Sequence, residues 1–226
     1  ALPILLVDKD HMWVAVWSAW NGITWNTNRV STAEAPKTWE SLLDPKYKDK
    51  MFWQSGSAQG APRLITHFRM MYGEDGAMEY LKKLKANDIR IIPGDAGAQE
   101  AGVVSGEFAI IVGLPVHQIS PHKQRGAPVD GINPEPALAR TSAVALIRNA
   151  PHPSVAMLFI DFLLSVDGQQ ALAEAGFAPT RKGSQPIPEY RWFAPSVTGK
   201  KEIMLPTQQE NAMYEKSTAI YNDMFR

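Results

Sequence analysis

Between residues 51 and 112, short apolar runs alternate with longer amphipathic segments, and this alternation constrains the fold more than any other feature. The runs at 51–53, 89–92 and 108–112 have the length and composition of strands, and apolar residues recur at helical spacing in the first interval between them. Strands alternating with helices pack as α/β layers with at least partly parallel strands. The sequence therefore predicts an α/β fold.

The first long interval predicts two helices. Proline is tolerated only in the first turn of a helix, so Pro62 requires the first one to begin within about four residues before it. A buried stripe follows, formed by Leu64, Ile65, Phe68, Met71 and Tyr72. The second helix is predicted over about 75–86, and Asn87 can close it.

The remaining predicted elements flank this region. Residues 13–25 predict one or two strands, and residues 113–140 predict a long connection with at most one strand. Ala143–Ile147 is expected to be a buried strand. Helices are predicted at Val155–Leu164, from Ser165 to Gly176, and at Gln208–Phe225.

Composition excludes several classes of function. The 226 residues carry 23 Lys+Arg against 23 Asp+Glu, which argues against nucleic acid or an anionic membrane as the main partner. The chain has no Cys, hence no disulfide, thiolate metal site or cysteine nucleophile. No apolar run approaches the roughly 20 residues of a membrane-spanning helix. The abrupt apolar start predicts a processed or truncated terminus.

The sequence offers no catalytic constellation, so no enzyme, cofactor or metal site is predicted. The five His lack metal-ligand spacing, and His117 and His122 lie five residues apart in a segment broken by proline. There is no nucleophile elbow, P-loop or dinucleotide fingerprint, and the carboxylates are scattered.

Two strand-to-helix turns, at 53–59 and 94–99, are candidates for ligand binding. Both are rich in small, hydroxyl, carboxamide or carboxylate residues, and a helix start presents unpaired N–H groups to an anion. Ordinary capping is the alternative, since Ser and Asp are preferred N-caps. Asp95 would itself occupy an anion site, which makes the first turn the better candidate.

Seven Trp are present, and four crowd residues 13–25. Strand alternation would place Trp13, Trp17 and Trp25 on one face and Trp20 on the other. Core packing is the simplest role for most of them. A bend at Trp20-Asn21-Gly22 would expose Trp20 to a cleft.

Several stretches together resemble the ferric-type subgroup of the periplasmic solute-binding proteins of ABC transporters, over residues 10–182. They are Trp25-Asn26-Thr27, Ala35-Pro36-Lys37-Thr38-Trp39-Glu40-Ser41-Leu42-Leu43-Asp44-Pro45, Gly126-Ala127-Pro128-Val129, Ala150-Pro151-His152-Pro153, Phe159-Ile160-Asp161-Phe162-Leu163-Leu164-Ser165 and Gly168-Gln169. The resemblance implies a type II, two-lobed α/β protein with mixed sheets, periplasmic or extracellular, that delivers a small solute to an ABC permease.

The same resemblance implies domain boundaries. Residues 1–27 and 134–180 would form the remainder of the first lobe, and 28–133 and 181–226 the second. Roughly a hundred residues of the family's first lobe have no counterpart here. The apolar helix 155–164 would then lack cover, which predicts a dimer contact, strand exchange or poor solubility.

Site residues carried over from the family face the cleft between the lobes. They are Ser55, Gly56 and Ser57, then Asp95 and Gly97, then Leu114 and His117, then Thr141 and Ser142 in a turn. Arg140 is either an opposing cation or an ordinary surface residue. We also expect Trp20 or Trp53 to lie against any organic part of the ligand. Ferric members carry tyrosines where this chain has residues 113–117, which contain none. An organic or phosphorus-containing anion is therefore expected; the alternatives are ferric ion without the tyrosines, or a ligand-sensing ectodomain.

Overall fold

A computed structural model describes residues 7–55, 60–204 and 207–226, with the side chains of 207–210 excepted. The strands are β1 (Val14–Asn26), β2 (Met51–Gln54), β3 (Arg90–Ile92), β4 (Ile110–Pro115), β5 (Val129–Ile132), β6 (Ala137–Val144), β7 (Ala178–Pro179) and β8 (Glu202–Ile203). The α-helices are α1 (Ala61–Ala86), α2 (Ala96–Ser105), α3 (Val116–Gln124), α4 (Pro153–Leu164), α5 (Val166–Glu174), α6 (Pro195–Thr198) and α7 (Thr207–Phe225). Short 3₁₀ turns lie at Glu40–Leu43, Pro45–Tyr47 and Pro188–Phe193.

The described strands join one mixed sheet, which confirms the predicted α/β class. Its order is β3-β2-β4-β1-β6-β8, with β5 and β7 also paired to β1. The neighbours of β2 run parallel to it, and β1 runs antiparallel to β4. Since β8 also runs parallel to β6, the sheet is parallel at both ends and antiparallel at its centre.

The 13 residues of β1 form one continuous strand with four antiparallel partners. Its first half lies between β6 and β7, and its second half lies between β4 and β5. Gly22 lies at the junction of the halves, where a Cβ would fall 2.4 Å from both the Ile132 carbonyl oxygen and Val116 Cγ2. Only glycine fits this crossing point.

Helix α1 and the terminal helix α7 pack on one side of the sheet. Gly73 interrupts α1 with a φ of 72°, so the segment is the pair of helices that the sequence predicts. Phe68, Leu81 and Leu84 are fully buried in the main core, with Trp25 and Trp39 of preceding segments. This core holds the amino-terminal end of α1 in place.

Two predicted segments differ from the structure. Residues 113–140 are not a long connection, because β4 continues to Pro115 and α3, β5 and the start of β6 follow. Pro115 is the residue before α3, and Pro121 lies inside that helix, so the prolines that suggested a loop do not prevent a helix. Ala143–Ile147 is not a buried strand either: β6 ends at Val144, and Ile147 is 78% exposed.

Helix α4 has no buried residue, although it is the most apolar helix of the sequence. Val155, Leu158, Phe159 and Phe162 lie three or four residues apart and are all exposed, so they form one continuous apolar face. Within the described residues, α4 and α5 taken as a pair have the length and hydropathy of a membrane-spanning segment, with a bend of 69° between the two helices. No single described helix does so.

Candidate functional site

The carboxyl ends of three parallel strands meet at one edge of the sheet. Ser55 follows β2 and donates its backbone N–H to the carbonyl of Ile92 at the end of β3, at 3.0 Å. The amide of Gln54 donates to the carbonyl of Gly94 at 3.2 Å, which joins the two predicted turns. Ligands of open α/β sheets bind at this edge.

The helices that start at this edge differ in how their first turns are satisfied. Asp95 caps α2, because its carboxylate accepts the N–H of Ala98 at 3.1 Å, so ordinary capping explains the second turn. Gly60 is the N-cap residue of α1 and Pro115 that of α3, and neither residue has a side chain that can cap the helix. Within the part of the chain that the structure describes, no side chain caps the first N–H groups of α1 or α3, and a helix start favours negative charge.

An aromatic and basic cluster lies beside the start of α3. The ring centroid of Trp17 is 4.4 Å from that of Phe177 and 6.2 Å from that of His117, and the His117 and Phe177 rings are 5.2 Å apart. The guanidinium carbon of Arg140 lies 5.9 Å from the centroid of Trp17. Trp17, His117, Phe177 and Arg140 are called the front cluster below.

Buried imidazoles near this edge are neutral at pH 7. Burial, together with the positive charge of Arg140, lowers the pKa of His117 to about 4. Burial also lowers the pKa of His67 in α1 to about 4, with a smaller contribution from Arg63. The charged group that contributes to each shift is a guanidinium, Arg140 for His117 and Arg63 for His67, and positive charge at this edge suits an anion.

Neither tryptophan that the sequence predicts to face a ligand lies in the front cluster. Trp53 is fully buried, and its ring lies 4.6 Å from Phe225 of α7, so it belongs to the core. Trp20 lies opposite Ala139, on the face of the sheet away from Arg140. Trp17 lies in the front cluster instead. Trp17 and Ala19 are two residues apart on β1 and therefore share a face, and Ala19 pairs with Arg140. Trp17 thus lies on the same face of the sheet as Arg140.

The other predicted site residues differ in burial and in the element that holds them. Leu114 is fully buried among the apolar side chains beneath α2 and α3, so its side chain is not available to a solute. Thr141 and Ser142 lie within β6, opposite Ser18 and Trp17, rather than in a turn. Gly97 is exposed in the first turn of α2. Gly56 and Ser57 lie outside the described residues.

The second histidine of α3 has a separate environment. His122 Nε2 lies 2.6 Å from a carboxylate oxygen of Glu100 in α2, and both side chains are half-buried. In residues 7–55, 60–204 and 207–226, no three His, Asp or Glu side chains are grouped as metal ligands.

The fold and the helix starts at its edge define a class of solute-binding protein. Residues 2–195 match the family described as bacterial extracellular solute-binding protein. This match covers most of the chain, so the chain belongs to that family, and the expected periplasmic or extracellular location is confirmed at the level of the family.

Individual relatives of the chain differ in what their names say they bind. A putative 2-aminoethylphosphonate-binding periplasmic protein of Salmonella typhi is 25% identical over 191 residues, covering 81% of this chain and 56% of the relative. Iron uptake protein A1 of Synechocystis is 27% identical over 187 residues, covering 78% and 52%. The chain spans about half the length of the curated relatives it matches.

A solved structure supports the fold. The periplasmic binding protein AfuA of Actinobacillus pleuropneumoniae, with fructose-6-phosphate bound, superposes with a TM-score of 0.79 at 24% identity. The alignment covers 96% of this chain and 69% of AfuA. At this identity the similarity establishes the type II binding-protein fold and leaves the solute to be argued from the site.

Proposed function

We propose that this protein is the solute-binding component of an ABC importer and holds a small organic or phosphorus-containing anion beside the front cluster. The observation that carries the proposal is the convergence of Arg140, His117 and the starts of α1 and α3 at one edge of the sheet. Neither helix start is capped by a side chain of the described residues. Backbone N–H groups and a guanidinium are the donors that phosphate and carboxylate groups prefer. No group at this edge is proposed to transform the solute.

The long strand β1 is suited to act as a hinge between two lobes. We propose that residues 1–27 and 134–180 belong to one lobe and residues 28–133 and 181–226 to the other. By these bounds β1 belongs to the first lobe and pairs along its first half with β6 and β7 of the same lobe. Its second half pairs with β4 and β5 of the other lobe, and Gly22 lies where the two sets of partners meet. Closure about this point would bring both lobes onto a solute.

An anion is favoured over ferric ion by the chemistry of the side chains. Where tyrosines would bind iron, β4 and α3 present the buried Leu114 and the neutral, buried His117. Hard Fe³⁺ prefers anionic oxygen ligands, and an arginine beside the site would oppose it. The names of a phosphonate-binding relative and of a sugar-phosphate complex agree with this choice.

Calorimetric titration with a panel of solutes tests the proposal. The panel comprises 2-aminoethylphosphonate, fructose 6-phosphate, inorganic phosphate and ferric citrate, with fructose as the uncharged control. We expect at least one phosphorus-containing anion to bind with a Kd at or below about 10 µM, corresponding to roughly 7 kcal/mol. Trp17 fluorescence should change with it. Binding of ferric citrate alone, or of no anion, would contradict the proposal.

A dimer contact through the exposed face of α4 is also proposed for the 226-residue chain. Leu158 and Phe159 are 69% and 57% exposed, and large apolar faces associate in water. Replacing Phe159 by Glu should lower the mass measured by light scattering, because it charges the centre of this face. The control is Val197→Glu, at an apolar residue that is 46% exposed elsewhere. A wild-type chain that stays monomeric at high concentration would refute the contact.

A further inference from the structure

A second cavity lies on the opposite face of β1 from the front cluster. Its volume is about 640 Å³, within the range of small-molecule sites. Ser18 and Trp20 line it, and their partners in β6 are Thr141 and Ala139. Arg140 pairs with Ala19 and therefore points to the other face.

The wall of this cavity, called the rear groove below, is partly apolar. Trp20, Met204, Pro179 and Pro186 line it, which gives an organic group an apolar surface. The indole N–H of Trp20 donates to a carboxylate oxygen of Glu202 at 3.0 Å, which fixes the ring in place. Trp20 is 6% exposed, so only a small part of its side chain reaches the cavity.

The charged side chains of the rear groove are mostly positive. Arg181, Lys182 and Lys200 line it together with Glu202, which leaves an excess of two positive charges among the described lining residues. Lys200 is half-buried and donates to the backbone carbonyl of Asn133. Its burial lowers its pKa, because partial desolvation disfavours the ammonium form. A nearby anion would relieve that cost.

We propose that the rear groove is a second binding site, which takes a small dianion bearing an apolar group, such as an aryl phosphate. The dianion matches the two excess charges, and the apolar group packs against Trp20 and the neighbouring prolines. This site is independent of the solute bound at the front cluster, because no residue of that cluster lines it.

Phenyl phosphate is the probe, and its binding is monitored through the NMR signals of the tryptophan indole N–H groups. The Trp20 signal is assigned with Trp20→Phe. It should shift with saturation on titration of the wild-type chain, and phenol should leave it unchanged. A shift of the Trp17 signal alone would place the probe at the front cluster and overturn the proposal.

Matched lysine variants test the charge requirement. Lys182→Gln with Lys200→Gln should raise the Kd for phenyl phosphate at least about tenfold, since charged contacts of this kind contribute strongly. Lys201→Gln is the control, because Lys201 is exposed beside the groove without lining it. It should change the Kd less than about twofold. Arg140→Gln should leave the Trp20 titration unchanged.

The single variant Lys182→Gln keeps the test valid if the double variant fails to fold. Lys182 is exposed, so its replacement should preserve the fold, and the Kd should rise about threefold. An unchanged Kd in a folded Lys182→Gln chain, or the same rise in Lys201→Gln, would show that the groove does not recognise the probe.

Discussion

Replacing Arg140 by Gln is expected to weaken binding of the tightest anion of the panel by about tenfold to a hundredfold, the range for losing a hydrogen bond to a charged group. Arg140 is half-buried on β6 beside Trp17 and His117, so water cannot fully replace its charge. Lysine should restore only part of the affinity, because its ammonium group cannot form the planar pair of hydrogen bonds of a guanidinium. Calorimetric titration measures the Kd of the wild-type, Arg140→Gln and Arg140→Lys proteins.

The matched control for this variant is Arg148→Gln, beyond the end of β6. Arg148 is exposed and outside the front cluster, so its loss should leave the Kd unchanged. A second readout is the titration of His117, whose low pKa depends in part on Arg140. That pKa should rise towards its ordinary value in Arg140→Gln, although burial continues to hold it low. If Arg140→Gln and Arg148→Gln bind the anion with equal affinity, Arg140 does not contact the anion.

The strand and helix order from 51 to 112 could be predicted because its periodicities and turn residues agree with the packing. The stripe through Leu64 and Phe68 faces the core, as helical spacing requires. The segment from 113 to 144 could not be predicted, because Pro115 and Pro121 indicate a loop while tertiary packing of α3 overrides that signal. Strand β6 was hidden since Arg140, Thr141 and Ser142 interrupt its apolar pattern.

The backbone part of the candidate site was more predictable than its side chains. Turns between strands and helices are visible in sequence, and the sheet topology brings the turns at Ser55 and Asp95 together. The front cluster combines Trp17 and Phe177, which are 160 positions apart, and no local pattern links them. Trp53 was assigned to the ligand because it precedes the first turn, but strand alternation directs it into the core.

Arg69 belongs to a hydrogen-bond network that joins α1 to the terminal helix α7. Among the variants considered, its replacement is expected to lower the free energy of unfolding the most. Arg69 is 6% exposed and donates to the Met213 carbonyl at 2.8 Å and to the Ser217 hydroxyl at 2.9 Å. It also forms two hydrogen bonds from Nε and Nη2 to the carboxylate of Glu74. Thr66 completes the network through Ser217 at 2.8 Å. Loss of the guanidinium removes donors from the Met213 carbonyl and the Ser217 hydroxyl, which keep their bond to each other and, for Ser217, the bond to Thr66.

Arg69→Met should lower the free energy of unfolding by about 2 kcal/mol, because it removes the hydrogen bonds of a buried guanidinium while keeping the apolar stem. The half-exposed Glu74 carboxylate accounts for the smaller share. Urea unfolding measures the loss, and hydrogen exchange should show faster opening of α7 than of β1. Ser217→Ala should cost about 1 kcal/mol, since it removes one hydroxyl. Lys83→Met, at an exposed pair with Glu79, is the control and should have no measurable effect.

The pH dependence of the difference between wild type and Arg69→Met gives the decisive check. Hydrogen bonds from Arg69, and then from Lys216, lower the pKa of Glu74 to about 2 from 4.5. A carboxyl group with a lowered folded pKa stabilises the fold above its unfolded pKa, and that contribution is lost as pH falls through the folded value. The difference in stability should therefore be complete above pH 4.5 and shrink towards pH 2. A difference that stays constant over this range would mean that Arg69 acts through packing and its carbonyl and hydroxyl partners, without the carboxylate.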